Sequence, residues 1–355
     1  MTPAADLPRP DRGRRDPSRR DGAAGDPGSR REERTPRRGR RLLGLLALAA
    51  SVLGFRLLAR RRGRRRPPVL PPQAWGRSHH YLWRGDEVHF QQLGEGPPVV
   101  LVHSLGPGHS SGEWHRIGEL LAGSLDLIAP DLPGWGRSSA ALVEPRPRLY
   151  VDFLADFLAE VVRRPAVLVA AGGAAPYAVA AAVALGPERV RGLGLVTPHG
   201  LGDPLPEPAR QLLGRAAGVP VLGDLAARGL TSRRAIQHHL ERDVFCNAPE
   251  RADAARQEIW FQSARNPGAR RALLRHVAGQ LTLDVSDLLP HLAVPVWLAW
   301  GRGAPQPGIE SADLWLRALP GADLDVLEGC GALPHLETPA AFARKLQLFV
   351  GRLPP

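Results

Sequence analysis

Residues 165–198 constrain the fold of this chain more than any other stretch. An apolar run at 166–169 enters a turn of small residues at 170–175, and an alanine-rich stretch then runs to Leu185. A second apolar run occupies Val190–Val196. Both runs are apolar throughout, which is typical of strands buried on both faces of a parallel sheet. The segment therefore predicts a strand–helix–strand unit, and with it an α/β fold.

Hydrophobic periodicity predicts further strands and helices on both sides of this unit. The other predicted strands are a hairpin at 81–84 and 87–92, then Pro98–Val102, 125–129, 294–300 and Asp323–Leu327. The other predicted helices cover 113–121, 150–162, 309–319 and 341–349. Between the strands, residues 201–292 show several short helical patterns broken by Gly and Pro. These elements place one large α/β domain at 73–355, with a helical insertion at about 199–293.

Positive charge is concentrated at the N-terminus. Residues 1–66 hold 20 Arg and 7 acidic residues, whereas residues 67–355 hold 27 basic and 28 acidic ones. The folded part therefore lacks the basic surface that nucleic-acid binding requires. Residues 1–41 have almost no large apolar side chains, which predicts a disordered basic tail.

An apolar segment at 42–59 follows the tail and is interrupted only by Arg56. Its length is near the minimum for a bilayer span, which predicts a single N-terminal membrane anchor. The basic flanks within 37–66 would contact anionic lipid head groups. A cleaved signal peptide and an interfacial helix remain alternatives. An Arg- and Pro-rich linker at 60–72 leads into the domain, and the symmetric flanks leave the orientation undefined.

Two loop motifs carry a resemblance to a known family. The strand at Pro98–Val102 ends in His103-Ser104-Leu105, and the next strand is followed by a turn that reads PDLPGWGRS at 130–138. Together these resemble the opening of the α/β-hydrolase fold family. The resemblance implies a mostly parallel eight-stranded sheet with flanking helices and a helical cap. It also implies a structural role for Asp131 and an oxyanion pocket near five residues: His103, Ser104, Leu105, Gly173 and Ala174.

The family's Ser-Asp-His triad is missing from the positions that the resemblance assigns to it. The nucleophile position falls on Gly172 or Gly173, and the acid position falls on Ala304 in WGRGAP. The base position falls on Ala332 in GALPHLETP. Three losses within intact flanking motifs indicate a branch of the family that lacks the triad. The branch motifs in this chain are HSL at 103–105, Glu113-Trp114, the elbow ending in Tyr177, and CGALPH at 330–335.

Other side chains could replace the lost groups. His335 and Cys330 lie in one loop and are fallback catalytic candidates, and Ser104 or Ser111 could supply a hydroxyl. Two cysteines cannot form a disulfide framework. The aromatic residues Trp260 and Phe261 are candidates for a cap pocket. His238 and His239 are adjacent, lack the spacing of a metal site and are expected on the surface, so neither a metal nor a cofactor is predicted.

Two functions remain open from the sequence. One is a pseudo-hydrolase that binds an apolar small molecule or a partner beneath its cap. The other is an active hydrolase, acting on an ester or a similar substrate, whose catalytic groups have moved.

Overall fold

The computed structural model describes residues 75–139, 142–202, 206–246 and 254–354. The predictions for the basic tail, the apolar segment 42–59 and the linker lie outside these residues. No helix within the described ranges combines the length and apolarity needed to cross a membrane.

Eight strands form one sheet in the order β1-β2-β4-β3-β5-β6-β7-β8. The first pairings, β1–β2 and β2–β4, are antiparallel, and the others are parallel. The strands are β1 Arg77–Trp83, β2 Asp86–Leu93, β3 Pro98–Val102, β4 Asp126–Pro130, β5 Ala166–Ala171, β6 Val190–Val196, β7 Val296–Gly301 and β8 Asp323–Leu327. This sheet confirms the predicted α/β fold class.

The helices before β6 and after β7 flank the sheet, and those between β6 and β7 form the cap. The flanking helices are α1 His115–Leu121, α2 Pro147–Phe157, α3 Ala175–Leu185, α9 Ala312–Ala318, α10 Pro334–Glu337 and α11 Pro339–Arg352. The described cap helices are α4 Glu207–Gly218, α5 Pro220–Leu230, α6 Arg233–His239, α7 Ala254–Ala264 and α8 Pro267–Val277. A π-helical turn, Leu240–Val244, continues α6.

The core has two parts, one on each face of the sheet. Successive strand residues point to opposite faces, so Val100 and Leu168 pack in one part while Val99 and Val167 pack in the other. Every residue of β3 and β5 is buried. This double burial explains why these strands are apolar throughout.

Helix boundaries differ from the predicted ones where local chemistry sets the ends. The helix predicted at 113–121 begins with a 3₁₀ turn, Ser111–Trp114, because the Ser110 hydroxyl caps the amide of Gly112. The helix predicted from 150 begins at Pro147, and the final helix begins at Pro339, because proline favours the first helical turn.

Asp131 anchors the turn after β4, as the sequence predicted. Its carboxylate lies 3.0 Å from His89 Nδ1 and accepts the amides of Ser111 at 2.6 Å and Arg137 at 2.8 Å. Burial raises the pKa of Asp131, but the contacts, His89 first among them, outweigh it and hold the pKa below its usual value. A Cβ on Gly136 would lie 2.2 Å from the Asp131 Cγ, so the turn also requires glycine there.

We predict that Asp131→Asn lowers the free energy of unfolding by about 3 kcal/mol, because an amide cannot accept every bond that the buried carboxylate accepts. Urea unfolding of the full chain measures the change. Asp323→Asn is the control, since that side chain is 60% exposed beside Arg352 and should change stability by less than about 0.5 kcal/mol. A loss below about 1 kcal/mol for Asp131→Asn would contradict the anchoring role.

Candidate functional site

The turn between β5 and α3 places Gly172 at the tip of the elbow. Gly172 has a φ of +50°, a conformation that favours glycine, whereas Gly173 lies outside this left-handed region. The Gly172 carbonyl accepts the amide of His199, at the end of β6. Of the two glycines assigned to the nucleophile position, Gly172 therefore has the sharp-turn geometry.

The hydroxyl of Ser104 fills the space that an elbow side chain would need. A Cβ built on Gly172 would lie 2.2 Å from Ser104 Oγ and 3.2 Å from Ser104 Cβ. Ser104 is buried, and its Oγ makes no hydrogen bond to another described residue. A glycine at the elbow and a serine on the facing loop are thus sterically complementary.

His199 faces the same space from the end of β6. Its Cδ2 lies 4.0 Å from the point where a Gly172 Cβ would be. Solvent reaches the ring, yet protein surrounds much of it, and this desolvation lowers the pKa of His199. His199 and the Ser104 hydroxyl thus border the same space at the elbow. The sequence analysis missed His199, because no motif marks a histidine three residues after a strand end.

Of the expected oxyanion residues, Leu105, Gly173 and Ala174 line a recess, whereas His103 supports the loop after β3. Leu105 side-chain atoms lie 3.3 Å from a Cβ built on Gly173, so these two residues are neighbours. The Gly173 amide is in the first turn of a 3₁₀ helix, where an N–H has no acceptor within the helix. Ala174 is buried behind it. His103 supports the loop, because its Nε2 accepts the Leu132 amide at 3.0 Å, and its Nδ1 then donates to the Ser104 carbonyl at 2.7 Å.

A buried carboxylate, Glu113, joins three parts of the site. It accepts the Ser104 amide at 2.9 Å and lies 2.8 Å from His109 Nδ1 and 3.6 Å from His335 Nε2. Burial raises the pKa of Glu113, but the adjacent His109 and His335 outweigh it and lower the pKa to about 2. The sequence placed Glu113 in a branch motif without a role. Because the Glu113 carboxylate is ionised and buried, its negative charge interacts strongly with the neighbouring imidazole rings.

His109 also contacts the cap, and this corrects the expected surface position of His239. The two Nε2 atoms lie 3.3 Å apart, and His239 Nδ1 lies 2.9 Å from Asp243. The His239 side chain is only 16% exposed, whereas His238 is exposed. The expectation failed for His239 because α6 turns one of two adjacent imidazoles toward the core.

A cap segment packs against the loops that carry the acid and base positions. Ala332 donates its amide to the Val244 carbonyl at 2.8 Å, and Ala304 is buried. A Cβ on Gly303 would lie 3.0 Å from Cys246 Cβ. The Glu337 carboxylate accepts the Cys246 amide at 3.1 Å and the Gly331 amide at 2.5 Å, which ties the cap to the base loop.

The fallback candidates His335 and Cys330 lie in the protein interior. The His335 ring is fully buried, stacks on Trp114 with centroids 4.0 Å apart and packs edge-on against Phe342. The Cys330 thiol donates to the Leu327 carbonyl at 3.3 Å. Burial raises the pKa of Cys330 to about 12, and a thiol that stays protonated is a poor nucleophile.

The two cap aromatics have different surroundings. Trp260 is buried against His109, with ring centroids 4.4 Å apart. Phe261 lies beneath the guanidinium groups of Arg233 and Arg265 at 4.1 and 5.4 Å, and packs as a cation–π partner. Among the described residues, no group of three or more His, Cys, Asp or Glu side chains is arranged to hold a metal ion.

We predict that iodoacetamide at pH 8 alkylates Cys330 at least about 100-fold more slowly in the folded protein than in urea, because burial suppresses the thiolate. Mass spectrometry of the Cys330 peptide measures the rate. Equal rates in the folded and unfolded protein would contradict the buried-thiol assignment.

Comparison with known proteins places these features in a family. An uncharacterised protein of Mycobacterium tuberculosis is 26% identical to this chain, and the match covers 81% of this chain and 84% of that protein. The 2-hydroxy-6-oxo-6-phenylhexa-2,4-dienoate hydrolase of Burkholderia cepacia is also 26% identical, and the match covers 72% of this chain and 88% of the hydrolase. Pimeloyl-[acyl-carrier protein] methyl ester esterases, including that of Vibrio vulnificus at 25% identity, cover 75% of this chain and 99% of their own length.

Solved structures share the fold at low sequence identity. A bacterial membrane phospholipase A superimposes with a TM-score of 0.65 at 24% identity, covering 88% of this chain and 98% of its own. A serine hydrolase involved in carbazole degradation superimposes with a TM-score of 0.64 at 20% identity, covering 78% of this chain and 98% of its own. The model of the alpha/beta hydrolase family matches residues 99–345, and the sheet order and elbow agree with it. This chain therefore belongs to the alpha/beta hydrolase family.

Proposed function

We propose that this protein is a pseudo-hydrolase that binds an apolar small molecule beneath its cap and does not cleave it through an elbow nucleophile. The observation that carries the proposal is the Ser104 hydroxyl in the side-chain space of Gly172. A side chain added at the elbow would force the Ser104 hydroxyl to move, so a glycine at position 172 fits the serine on the facing loop.

The other two triad positions support the same function. Ala304 and Ala332 carry methyl groups where an acid and a base would be required. The loops around them are held by backbone contacts to the cap segment 244–246. Since His335 and Cys330 are interior packing residues, neither supplies the missing base or nucleophile.

The recess beside the elbow defines the class of ligand. The Gly173 amide can donate to a carbonyl or carboxylate oxygen, while Leu105 and Ala174 offer apolar contact. Relatives named for dienoate and pimeloyl ester substrates act on molecules that join a carbonyl group to an apolar chain or ring. An apolar ligand with one carbonyl oxygen therefore fits the site best.

A membrane location belongs to this proposal. The apolar segment 42–59 would anchor the chain, with the arginines of residues 37–66 on anionic lipid head groups. An apolar ligand would then be drawn from, or delivered to, the bilayer.

The Ser104 hydroxyl also supports a second candidate, an active hydrolase with a displaced nucleophile. Its oxygen lies near the elbow position and is free of hydrogen bonds to described residues, and His199 borders the same space. In that reaction Ser104 Oγ would attack an ester carbonyl, and His199 would take the hydroxyl proton. The same proton would pass to the departing alcohol, and water would then release the acid from the acyl-serine.

We expect the full chain to leave a fluorophosphonate probe and a panel of short- and long-chain acyl esters unreacted. Ligand screening should instead raise the apparent melting temperature with an apolar carbonyl compound. Labelling that Ser104→Ala abolishes, with ester turnover that His199→Ala lowers at least about 100-fold, would replace the pseudo-hydrolase by the second candidate. Ser111→Ala is the matched control, because that serine is fully buried in the Asp131 turn.

A second prediction concerns restoring the elbow serine. Gly172→Ser alone should lower the free energy of unfolding by about 2 kcal/mol, because its Cβ meets Ser104 Oγ and its φ is positive. The double variant Ser104→Gly/Gly172→Ser should recover part of that loss by removing the clash. Urea unfolding of both variants measures this coupling. Equal stability of the two variants would contradict the complementary packing.

A further inference from the structure

The contact between His109 and His239 joins the core to the cap. His109 lies in the loop after β3, and His239 is the last residue of α6. Their Nε2 atoms face each other at 3.3 Å, and each ring presents its Nδ1 to a carboxylate. Those carboxylates are Glu113 at 2.8 Å and Asp243 at 2.9 Å.

The two carboxylates fix the tautomers of the two rings. The pKa values of Glu113 and Asp243 are both lowered, so each is an ionised group that can only accept. Each Nδ1 must therefore carry a proton and donate it. A neutral imidazole has one N–H, so two neutral rings would direct two bare Nε2 lone pairs at each other. A hydrogen bond at 3.3 Å needs one additional proton between them.

We propose that the His109–His239 pair is a one-proton latch that holds the cap against the core and releases it on acidification. With one shared proton, Nε2–H of one ring donates to Nε2 of the other. With two protons, both Nε2 atoms carry hydrogen and positive charge, so the contact becomes repulsive. No ligand or metal is required for either state.

The two rings differ in burial. His239 is more exposed than His109 and lies beside Asp243, which is 61% exposed. His109 is 3% exposed, and burial lowers its pKa to about 4, although the hydrogen bond to Glu113 acts in the opposite direction. The closed state therefore opposes a proton of its own on His109 Nε2, and the second proton is resisted there.

Other titratable groups facing the pair strengthen the response to acid. His103 on the core disfavours a positive charge on His109. His276 on α8 interacts unfavourably with positive charge on His109 and His239. Burial, followed by the neighbouring histidines, lowers the pKa of His276 to about 3. Desolvation lowers the pKa of His199 as well. Glu113, which also faces His335, is the only buried carboxylate against His109 among the described residues.

The signs of these shifts set the pH range of release. A histidine whose pKa is lowered in the closed state binds more protons once it is open and solvated. The contribution of His109 to the closed state is therefore fully present above the ordinary histidine pKa of about 6.5, and it is lost as the pH falls from there toward about 4.

Two cap attachments on the α8 side are made by neutral groups that do not titrate in this range, so release is local to α6 and its neighbours. Asn266 donates its amide to the Gly136 and Ser138 carbonyls at 2.7 and 2.8 Å. The Tyr177 hydroxyl donates to the Leu281 carbonyl at 2.5 Å. These neutral bonds hold the α8 side of the cap while α6 moves.

The proton state can be read directly by NMR of the full chain with ¹⁵N-labelled histidine. At pH 7 we expect a proton on Nδ1 of both rings and one further proton shared between the two Nε2 atoms. The spectra of His109→Gln and His239→Gln assign the signals. Two bare Nε2 atoms, two protonated Nε2 atoms, or an unprotonated Nδ1 on either ring at pH 7 would overturn the proposal.

Hydrogen–deuterium exchange tests the release itself. Exchange in α6, corrected for its intrinsic pH dependence, should rise at least tenfold in the wild type between pH 7 and pH 4.5, while β5 stays protected. In His239→Gln the amide can donate to a neutral His109 or, after rotating, accept from a charged one. The midpoint of α6 exposure should therefore fall by at least half a pH unit.

The control is His238→Gln, which changes the adjacent exposed imidazole and should keep the wild-type midpoint. A wild type whose α6 exchange is independent of pH would overturn the latch. Equal midpoints in the wild type and in His239→Gln would do the same, and the wild-type result stands even if a variant fails to fold.

Discussion

The ionised carboxylate of Glu113 is the interaction on which the site depends. It lies fully buried and contacts the Ser104 amide and His109 from the loop after β3, and His335 from the C-terminal part of the chain. An ionised carboxylate in the interior is stable only when such partners compensate for its lost hydration. One negative charge therefore stabilises three features: the oxyanion-side loop, the contact to the cap and the packing of the C-terminal loop.

The elbow and the loop after β3 form a complementary pair. A hydroxymethyl group is present at Ser104 and absent at Gly172, and the two positions meet in one small space. Because cores are close-packed, a side chain gained at one position requires a smaller residue at the other. A hydroxyl remains near the elbow, but it belongs to the opposite loop and has different neighbours.

Much of the fold could be predicted from the sequence because parallel strands are marked by unbroken apolar runs. β3, β6 and β8 have the predicted bounds, and the elbow helix ends at the predicted Leu185. The helix starts at Pro147 and Pro339 were missed because proline at the first turn has no apolar periodicity. The placement of His239 was wrong because nothing in two adjacent histidines shows which one a helix turns toward the core.

The sequence by itself determined the α/β architecture, and its resemblance to the family predicted the structural role of Asp131. Those properties are local, since they follow from apolar periodicity and from short motifs. Only the tertiary structure decided that Ser104 meets Gly172, that Glu113 joins Ser104 to His109, and that His109 meets His239. Such pairs are up to 130 residues apart, so their distances follow from the packing of the sheet and the cap.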